Sequence, residues 1–145
     1  MAMLVRDLMV PTVLTLSPND AIADADRSMR ETNDSAAVVT EDQKVIGLIT
    51  EKEMAQAPND GRVADAMRAD CAVVAPGEQL ADAARAMGEK NQRFMPVVDG
   101  GLLVGILSLT DVRRWAREGD GEGRDEVQEV LTLSVGGYES QSPPT

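Results

Sequence analysis

Apolar and polar positions follow one pattern that occurs twice along the chain. Residues 5–56 align without a gap with residues 63–114, so that Val5 corresponds to Val63 and Gly47 to Gly105. In each copy a short apolar run comes first, apolar residues at helical spacing follow, and two further apolar runs come after them. The pattern predicts a strand, a helix, two strands and a second helix in each copy.

The first helix of each copy is predicted from a stripe of apolar residues on one face. Ser17 is expected to cap this helix in the first copy, with Pro18 in the first helical position and Asp20 closing a capping box. The second copy has Ala75 in place of the serine, so its helix is expected to start less firmly. The apolar stripes consist of Ile22, Ala25 and Met29 in the first copy and Leu80, Ala83, Ala84 and Met87 in the second.

Strands are predicted on both sides of these helices. Residues 13–16 and 71–74 precede them, and a hairpin signal, Asp99-Gly100-Gly101, separates the last two strands of the second copy. Because a repeat of this size cannot bury a core alone, the copies are expected to pack with pseudo-twofold symmetry and to leave paired clefts. The predicted fold class is α/β, or α+β by some definitions, with two small three-stranded sheets. The strands predicted after the helices are 36–40, 45–49, 95–98 and 102–107.

The repeat divides the chain into three parts. We assign residues 1–58 to the first repeat, residues 59–117 to the second and residues 118–145 to an acidic, glycine-rich tail. The tail is expected to be partly disordered because its sequence is too polar to build a core, although Val127 to Val135 would suit one more helix or strand.

Composition and charge exclude several classes of function. The net charge of −11 disfavours binding to DNA or RNA, whose backbones are anionic. No apolar run approaches the length of a membrane span, so a cytoplasmic protein without membrane association is expected. The chain has no histidine and one cysteine, Cys71, which leaves no internal disulfide and removes the commonest general base and transition-metal ligand. We therefore predict a non-enzyme without a catalytic or metal site.

Each copy ends in the same short signature. Gly47-Leu48-Ile49-Thr50-Glu51-Lys52-Glu53 matches Gly105-Ile106-Leu107-Ser108-Leu109-Thr110-Asp111 in glycine, two aliphatic residues, a hydroxyl and an acid. The signature closes a strand and opens a helix, so a hydroxyl, free backbone N–H groups and a carboxylate surround one helix N-terminus. That set suits a sugar phosphate, because the N–H groups and hydroxyl can donate to phosphate oxygens while the acid accepts from ribose hydroxyls.

The same spacing has a purely structural interpretation. Thr50 with Glu53, and Ser108 with Asp111, are also capping boxes, which both helices need whether or not a ligand binds. Capping does not explain the glycine three residues before each hydroxyl. A glycine within a strand often marks the close approach of backbone or of a ligand.

Together these motifs resemble a tandem pair of cystathionine-β-synthase (CBS) domains, the arrangement called a Bateman module. The resemblance covers residues 5–116 and includes Asp65-Ala66-Met67, Val74-Ala75-Pro76-Gly77-Glu78 and Met95-Pro96-Val97-Val98-Asp99. It implies a regulatory module that binds AMP, ADP, ATP or S-adenosylmethionine and requires no cofactor. It also implies a homodimer. Because no catalytic or transport domain is attached, we expect an effector protein encoded separately.

The resemblance also implies roles for individual residues. Asp111 would hold the ribose hydroxyls and Ser108 the phosphate end of the ligand. Backbone around Cys71, Ala72 and Val73 and around Phe94, Met95 and Pro96 would frame the base, and Arg93, Arg113 and Arg114 would supply positive charge.

The first copy departs from the family pattern at two positions. Val38 stands where the second copy has Pro96, and Glu53 replaces the expected aspartate, so this site is predicted to be weak, empty or altered in specificity. The residues expected to line the weaker site are Thr50, Glu53, Thr12, Val13, Leu14, Ala36 and Ala37.

The alternative to ligand sensing is a structural or dimerisation module without a small-molecule ligand.

Overall fold

The computed structural model describes residues 3–118 and 122–132. The described residues form two lobes of mixed helices and strands, as the fold-class prediction requires. The first lobe (residues 11–68) contains β1 (Thr15–Leu16), α1 (Ile22–Thr32), β2 (Ala36–Glu41), β3 (Lys44–Thr50), α2 (Glu51–Gln56) and α3 (Val63–Ala66). The second lobe (residues 3–10, 69–118 and 122–132) contains a short 3-10 helix (Val5–Asp7), α4 (Leu80–Lys90), β4 (Phe94–Asp99), β5 (Leu102–Ser108), α5 (Leu109–Arg117) and α6 (Glu122–Val130).

The two repeats exchange their leading segments. The 3-10 helix docks on the second lobe, where the Val5 N–H donates to the Glu78 carbonyl at 2.9 Å. In the reciprocal contact, the Val63 N–H at the start of α3 donates to the Asp20 carbonyl at 2.9 Å. Val5 and Val63 are both fully buried, each in the core of the lobe formed mainly by the other repeat. Each lobe is therefore completed by the leading segment of the other repeat.

Backbone bridges to the sheets continue this exchange. Val10 and Ile106 exchange N–H···O bonds of 2.9 and 3.0 Å, and Arg68 and Leu48 exchange bonds of 2.7 and 3.0 Å. A third cluster of apolar side chains joins the lobes, with Val38 and Leu48 of the first packed near Phe94 of the second. The sequence prediction that the copies share their packing agrees with this arrangement.

The sheets of the two lobes differ in their number of strands. β1 pairs in parallel with β2, and β2 pairs antiparallel with β3. In the second lobe β4 pairs antiparallel with β5, and the predicted strand at residues 71–74 is reduced to a single parallel bridge between Val74 and Val97. The prediction of a strand over 71–74 was therefore wrong.

Pro96 explains the missing strand. In the first lobe the Val38 N–H donates to the Leu14 carbonyl at 3.0 Å. Pro96 occupies the equivalent position and has no N–H, so this ladder bond cannot form.

The Gln92 side chain takes over the lost pairing. Its Oε1 accepts from the Ala72 N–H at 2.9 Å, and its Nε2 donates to the Ala72 and Phe94 carbonyls at 2.9 Å each. Gln92 is 2% exposed and is the one buried polar side chain among the residues described. The amide group therefore satisfies both backbone groups of Ala72 in place of a neighbouring strand.

The first helix starts later than the sequence predicts. α1 has Ala21 as its N-cap, so Ser17, Pro18 and Asp20 do not open the helix as expected. They form a turn in which the Asp20 carboxylate accepts the Ser17 N–H at 2.9 Å. The Pro18 carbonyl accepts the Ala64 N–H at 2.9 Å, so the turn is held by α3. This tertiary contact outweighed the local capping signal.

Helix α6 covers the helical face of the second lobe. Val127, Val130 and Leu131 join the second core, and the Arg124 Nε–H donates to the Trp115 carbonyl at 2.9 Å. The corresponding face of the first lobe is a groove of about 530 Å³. The expected tail thus contains a helix over part of its length, while residues 119–121 and 133–145 lie outside the described residues. In the portion of the chain described, no helix meets the length and apolarity needed to cross a bilayer.

The signature glycines are explained by the exchanged segments. A Cβ on Gly105 would lie 2.9 Å from Met9 Sδ and 3.0 Å from the Val10 carbonyl oxygen. A Cβ on Gly47 would lie 2.6 Å from Met67 Sδ and 3.3 Å from the Arg68 carbonyl oxygen. Close packing of the exchanged segment, through its methionine side chain and its backbone, therefore accounts for both glycines without a ligand.

Replacing Gly105 with alanine should destabilise the protein by about 1–3 kcal/mol, because the added methyl group crowds backbone that cannot move independently. Gly77→Ala is the matched control, since no heavy atom lies within 4 Å of the Cβ position. Urea unfolding of both variants measures the difference. Equal midpoints for the two variants would contradict the packing explanation.

Gln92→Glu should destabilise the protein in a pH-dependent way. Burial and the facing Ala72 and Phe94 carbonyls raise the pKa of the new carboxyl above its unfolded value of about 4.3. The neutral acid can still donate one hydrogen bond, so stability is highest below the unfolded pKa and is lost as pH rises through the folded pKa. We expect a loss of about 2–4 kcal/mol at pH 8 and a smaller one at pH 4.5.

The control is Gln79→Glu, at an exposed position before α4. Urea unfolding of both variants and the unmodified chain at the two pH values gives the comparison. A Gln92→Glu penalty that does not change with pH would show that the carboxyl is not held against the two carbonyls.

Candidate functional site

A cavity of about 840 Å³ lies between the lobes. The first lobe contributes the end of β3 and the first turn of α2, and the second lobe contributes the ends of α4, β4 and α5 that face them. We call this the inter-lobe cavity. Its lining residues are Ser35, Leu48, Thr50, Glu51, Lys52, Glu53, Arg68, Met87, Gly88, Asn91, Gln92, Arg93, Phe94, Leu109 and Thr110.

The hydroxyl and acid of the first signature line this cavity as a closed capping box. The Thr50 N–H and the Thr50 hydroxyl donate to Glu53 Oε1 at 2.9 and 2.7 Å. The second carboxylate oxygen, Oε2, takes no part in these bonds. Glu53 therefore caps α2 and still presents an acceptor beside a helix N-terminus.

The second signature is arranged differently. Ser108 is the N-cap of α5, but its side chain makes no capping hydrogen bond, and the expected box with Asp111 does not form. The Asp111 carboxylate instead pairs with Arg114 at 3.2 Å, with the Asp111 side chain 32% exposed. The expected capping role is thus confirmed for Thr50 and Glu53 and wrong for Ser108 and Asp111. The Asp111 carboxylate is consequently not committed to a helix cap.

The inter-lobe cavity brings together residues from both predicted sites. Thr50 and Glu53 of the predicted weaker site line it, and so do Arg93 and Phe94 of the predicted main site. Leu109 and Thr110 reach it, whereas their neighbours Ser108 and Asp111 are not in its lining. The other predicted residues outside this lining are Cys71, Ala72, Val73, Met95, Pro96, Arg113, Arg114, Thr12, Val13, Leu14, Ala36 and Ala37.

Several of these outlying residues support the walls of the cavity. Ala36 pairs with Thr50 across β2 and β3, and Ser108 pairs with Phe94 across β4 and β5. Gln92 ties Ala72 to the Phe94 carbonyl, as described above. Burial raises the pKa of the Cys71 thiol, with Arg68 acting in the opposite direction. A thiol with a raised pKa stays protonated at neutral pH and is a poor nucleophile.

The lining of the cavity holds one more cationic side chain than acidic side chains. Lys52, Arg68 and Arg93 line it with the acids Glu51 and Glu53, which leaves an excess of positive groups in a protein of net charge −11. Such a local excess is suited to an anionic ligand that meets an otherwise repulsive surface. Arg93 forms further interactions within the chain, so its charge is shared.

Sequence reasoning did not identify Gln92, Arg68 and Lys52 as lining residues. A signal for Gln92 was present, because a proline inside a strand leaves a carbonyl without its usual donor. Arg68 and Lys52 gave no signal in the sequence, since their positions depend on the exchanged segment and on the orientation of α2.

Comparison with known proteins identifies the family of this chain. The family model for the CBS domain matches residues 5–60 and 63–118. A CBS domain-containing protein of Bacillus subtilis, YhcV, is 32% identical over 114 residues, which cover 74% of this chain and 81% of YhcV. The uncharacterized protein MJ1225 of Methanocaldococcus jannaschii is 36% identical over 113 residues, which cover 74% of this chain but only 40% of MJ1225.

Solved structures agree with this assignment. CBSX2 in complex with AMP is 27% identical, with a TM-score of 0.69 over 79% of this chain and 96% of CBSX2. The CBS domain pair of MJ0100, in complex with 5'-methylthioadenosine and S-adenosyl-L-methionine, is 25% identical, with a TM-score of 0.72 over 77% of this chain and 98% of that one. The chain therefore belongs to the CBS domain family and carries two CBS domains in tandem.

Proposed function

We propose that this protein is a regulatory module that binds an adenosine nucleotide or S-adenosylmethionine between its CBS domains and transmits the resulting change to a partner protein. The observation that carries the proposal is the inter-lobe cavity, an open site of about 840 Å³ with a cationic lining in an acidic chain. Its volume lies within the range of small-molecule sites. The AMP and S-adenosylmethionine complexes of the related structures support the ligand class.

The cavity offers a partner for each part of a nucleotide. Phe94 and Met87 supply apolar surface for a base, and Glu53 Oε2 is an acceptor for a ribose hydroxyl. Arg68, Arg93 and Lys52 supply positive charge for a phosphate. The N-terminal turn of α5, at Leu109 and Thr110, adds the positive end of a helix dipole.

Transmission requires that the ligand favour one arrangement of the lobes over another. A ligand with equal affinity for two arrangements shifts neither, whatever its affinity. The cavity is lined by both lobes, so a ligand that contacts both would meet this condition. We propose that the module acts in the cytoplasm as a homodimer, the assembly that the family resemblance implies, and that it regulates a partner protein.

A structural module without a ligand is the second candidate. Two observations favour it: Thr50 and Glu53 bond to each other, and the signature glycines are accounted for by packing against Met67 and Met9. Neither observation explains the excess of positive groups in the cavity. An enzyme is disfavoured because the chain contains no histidine and the described residues hold no group of side chains suited to a metal ion.

Calorimetric titration with AMP, ADP, ATP and S-adenosylmethionine tests the proposal. We expect at least one of the four to bind, and Glu53→Gln to weaken that binding about tenfold or more, because a hydrogen bond to a charged group is lost. Asp111→Asn is the matched variant at the equivalent position of the second signature and should change the affinity by less than about threefold.

The opposite pattern, with only Asp111→Asn weakening binding, would place the ligand at Ser108 and Asp111 as the sequence predicts. No heat with any of the four compounds would contradict ligand sensing and favour the structural module.

A further inference from the structure

Arg68 connects the two lobes at the edge of the inter-lobe cavity. Its backbone belongs to the first lobe, where it exchanges N–H···O bonds of 2.7 and 3.0 Å with Leu48 of β3. Its guanidinium reaches the second lobe, where Nη1 donates to the Asn91 carbonyl at 3.0 Å and Nη2 donates to the Lys90 carbonyl. The side chain is 29% exposed and also pairs with Asp70 at 3.4 Å.

These contacts place a cation at the C-terminal end of α4. Asn91 ends this helix in the left-handed conformation, at φ 51°, and the last carbonyls of a helix have no partner within the helix. Arg68 satisfies two of these carbonyls and offsets the negative end of the helix dipole. The guanidinium is thereby held at one position in the cavity wall rather than moving freely on the surface.

The equivalent position of the first repeat shows that this cation is specific to one side. Val10 corresponds to Arg68, forms the equivalent bridge with Ile106, and is 44% exposed. A valine offers no donor to the C-terminal carbonyls of α1 and no charge to a ligand. The pseudo-symmetry of the module is therefore broken at the residue that would face an anion.

We propose that Arg68 is the specificity-determining residue for the phosphate group of the ligand. The inference rests on the proposed function, because it concerns the same cavity. A guanidinium carries five N–H donors, and three of them serve Asp70, Asn91 and Lys90. The remaining two, one on each terminal nitrogen, can donate to phosphate oxygens, and these charge-assisted hydrogen bonds add to the attraction of the guanidinium charge for the anion.

This role predicts discrimination between adenosine and AMP, which differ only in the phosphate. The unmodified chain should bind AMP about 10–100-fold more tightly than adenosine, the range expected for charge-assisted hydrogen bonds. Arg68→Gln should lower the affinity for AMP more than the affinity for adenosine, until the two ligands differ by less than about threefold. The AMP preference of the unmodified chain should also weaken with added salt.

Arg85→Gln is the control, because it removes the same charge from the surface of α4, where Arg85 pairs with Asp82 at 3.0 Å. This variant should keep the full preference for AMP. Arg68→Lys keeps the charge without the guanidinium N–H donors and should lower the preference part of the way. It also provides the comparison if Arg68→Gln does not fold, as judged by circular dichroism.

Calorimetric titration of the four proteins with adenosine and AMP decides the matter. An Arg68→Gln variant that keeps the AMP preference, or that loses adenosine and AMP equally, would overturn the role of Arg68 while leaving the proposed function intact. An Arg68→Lys variant with an unchanged preference would overturn it as well. An unmodified chain that binds none of adenosine, AMP, ADP, ATP and S-adenosylmethionine would overturn both proposals.

Discussion

The reciprocal exchange of leading segments is the constraint on which the rest of this structure depends. The leading segment of each repeat forms a backbone bridge with the last strand of the other repeat. Val10 pairs with Ile106, and Arg68 pairs with Leu48. Each bridging segment packs against a glycine, Gly105 or Gly47. A Cβ at either position would lie less than 3.0 Å from an atom of that segment. Because each lobe is completed by the other repeat, the duplicated sequence gives one folded unit.

The exchange also shapes the candidate site. It brings Arg68 from the first lobe to the C-terminal end of α4 in the second, and the inter-lobe cavity opens beside it. The leading segment of the first repeat places Val10, which carries no charge, at the equivalent position beside Ile106. Gln92 and Pro96 add a second asymmetry, because a side-chain amide replaces a strand that a proline prevents from forming. Small differences between the copies thus make the two halves of the module chemically unequal.

Much of the fold followed from the sequence because helical and strand periodicity reports local burial directly. The stripe through Ile22, Ala25 and Met29 is buried as predicted. The start of α1 and the strand before α4 were wrong because both depend on distant partners. Ser17 is a good helix cap in isolation, but backbone bonds to α3 fix its turn. The effect of Pro96 on residues 71–74 could be predicted only by knowing that these residues lie beside β4.

The candidate site was predictable only in part for the same reason. The signature located the helix N-termini at Thr50 and Ser108, and both are observed. It did not reveal that the capping box forms at Thr50 and Glu53 but not at Ser108 and Asp111. That difference depends on side-chain partners such as Arg114, which pairs with Asp111. The preference for Ser108 and Asp111 over Thr50 and Glu53 stays a prediction. The geometry favours the side that carries Arg68.

A crystal structure of the protein with AMP tests most directly whether the exchanged segment builds a nucleotide site. We expect AMP in the inter-lobe cavity, with a phosphate oxygen within hydrogen-bonding distance of the Arg68 guanidinium and the ribose beside Glu53. AMP bound away from this cavity, or a cavity that stays empty at saturating AMP, would contradict it.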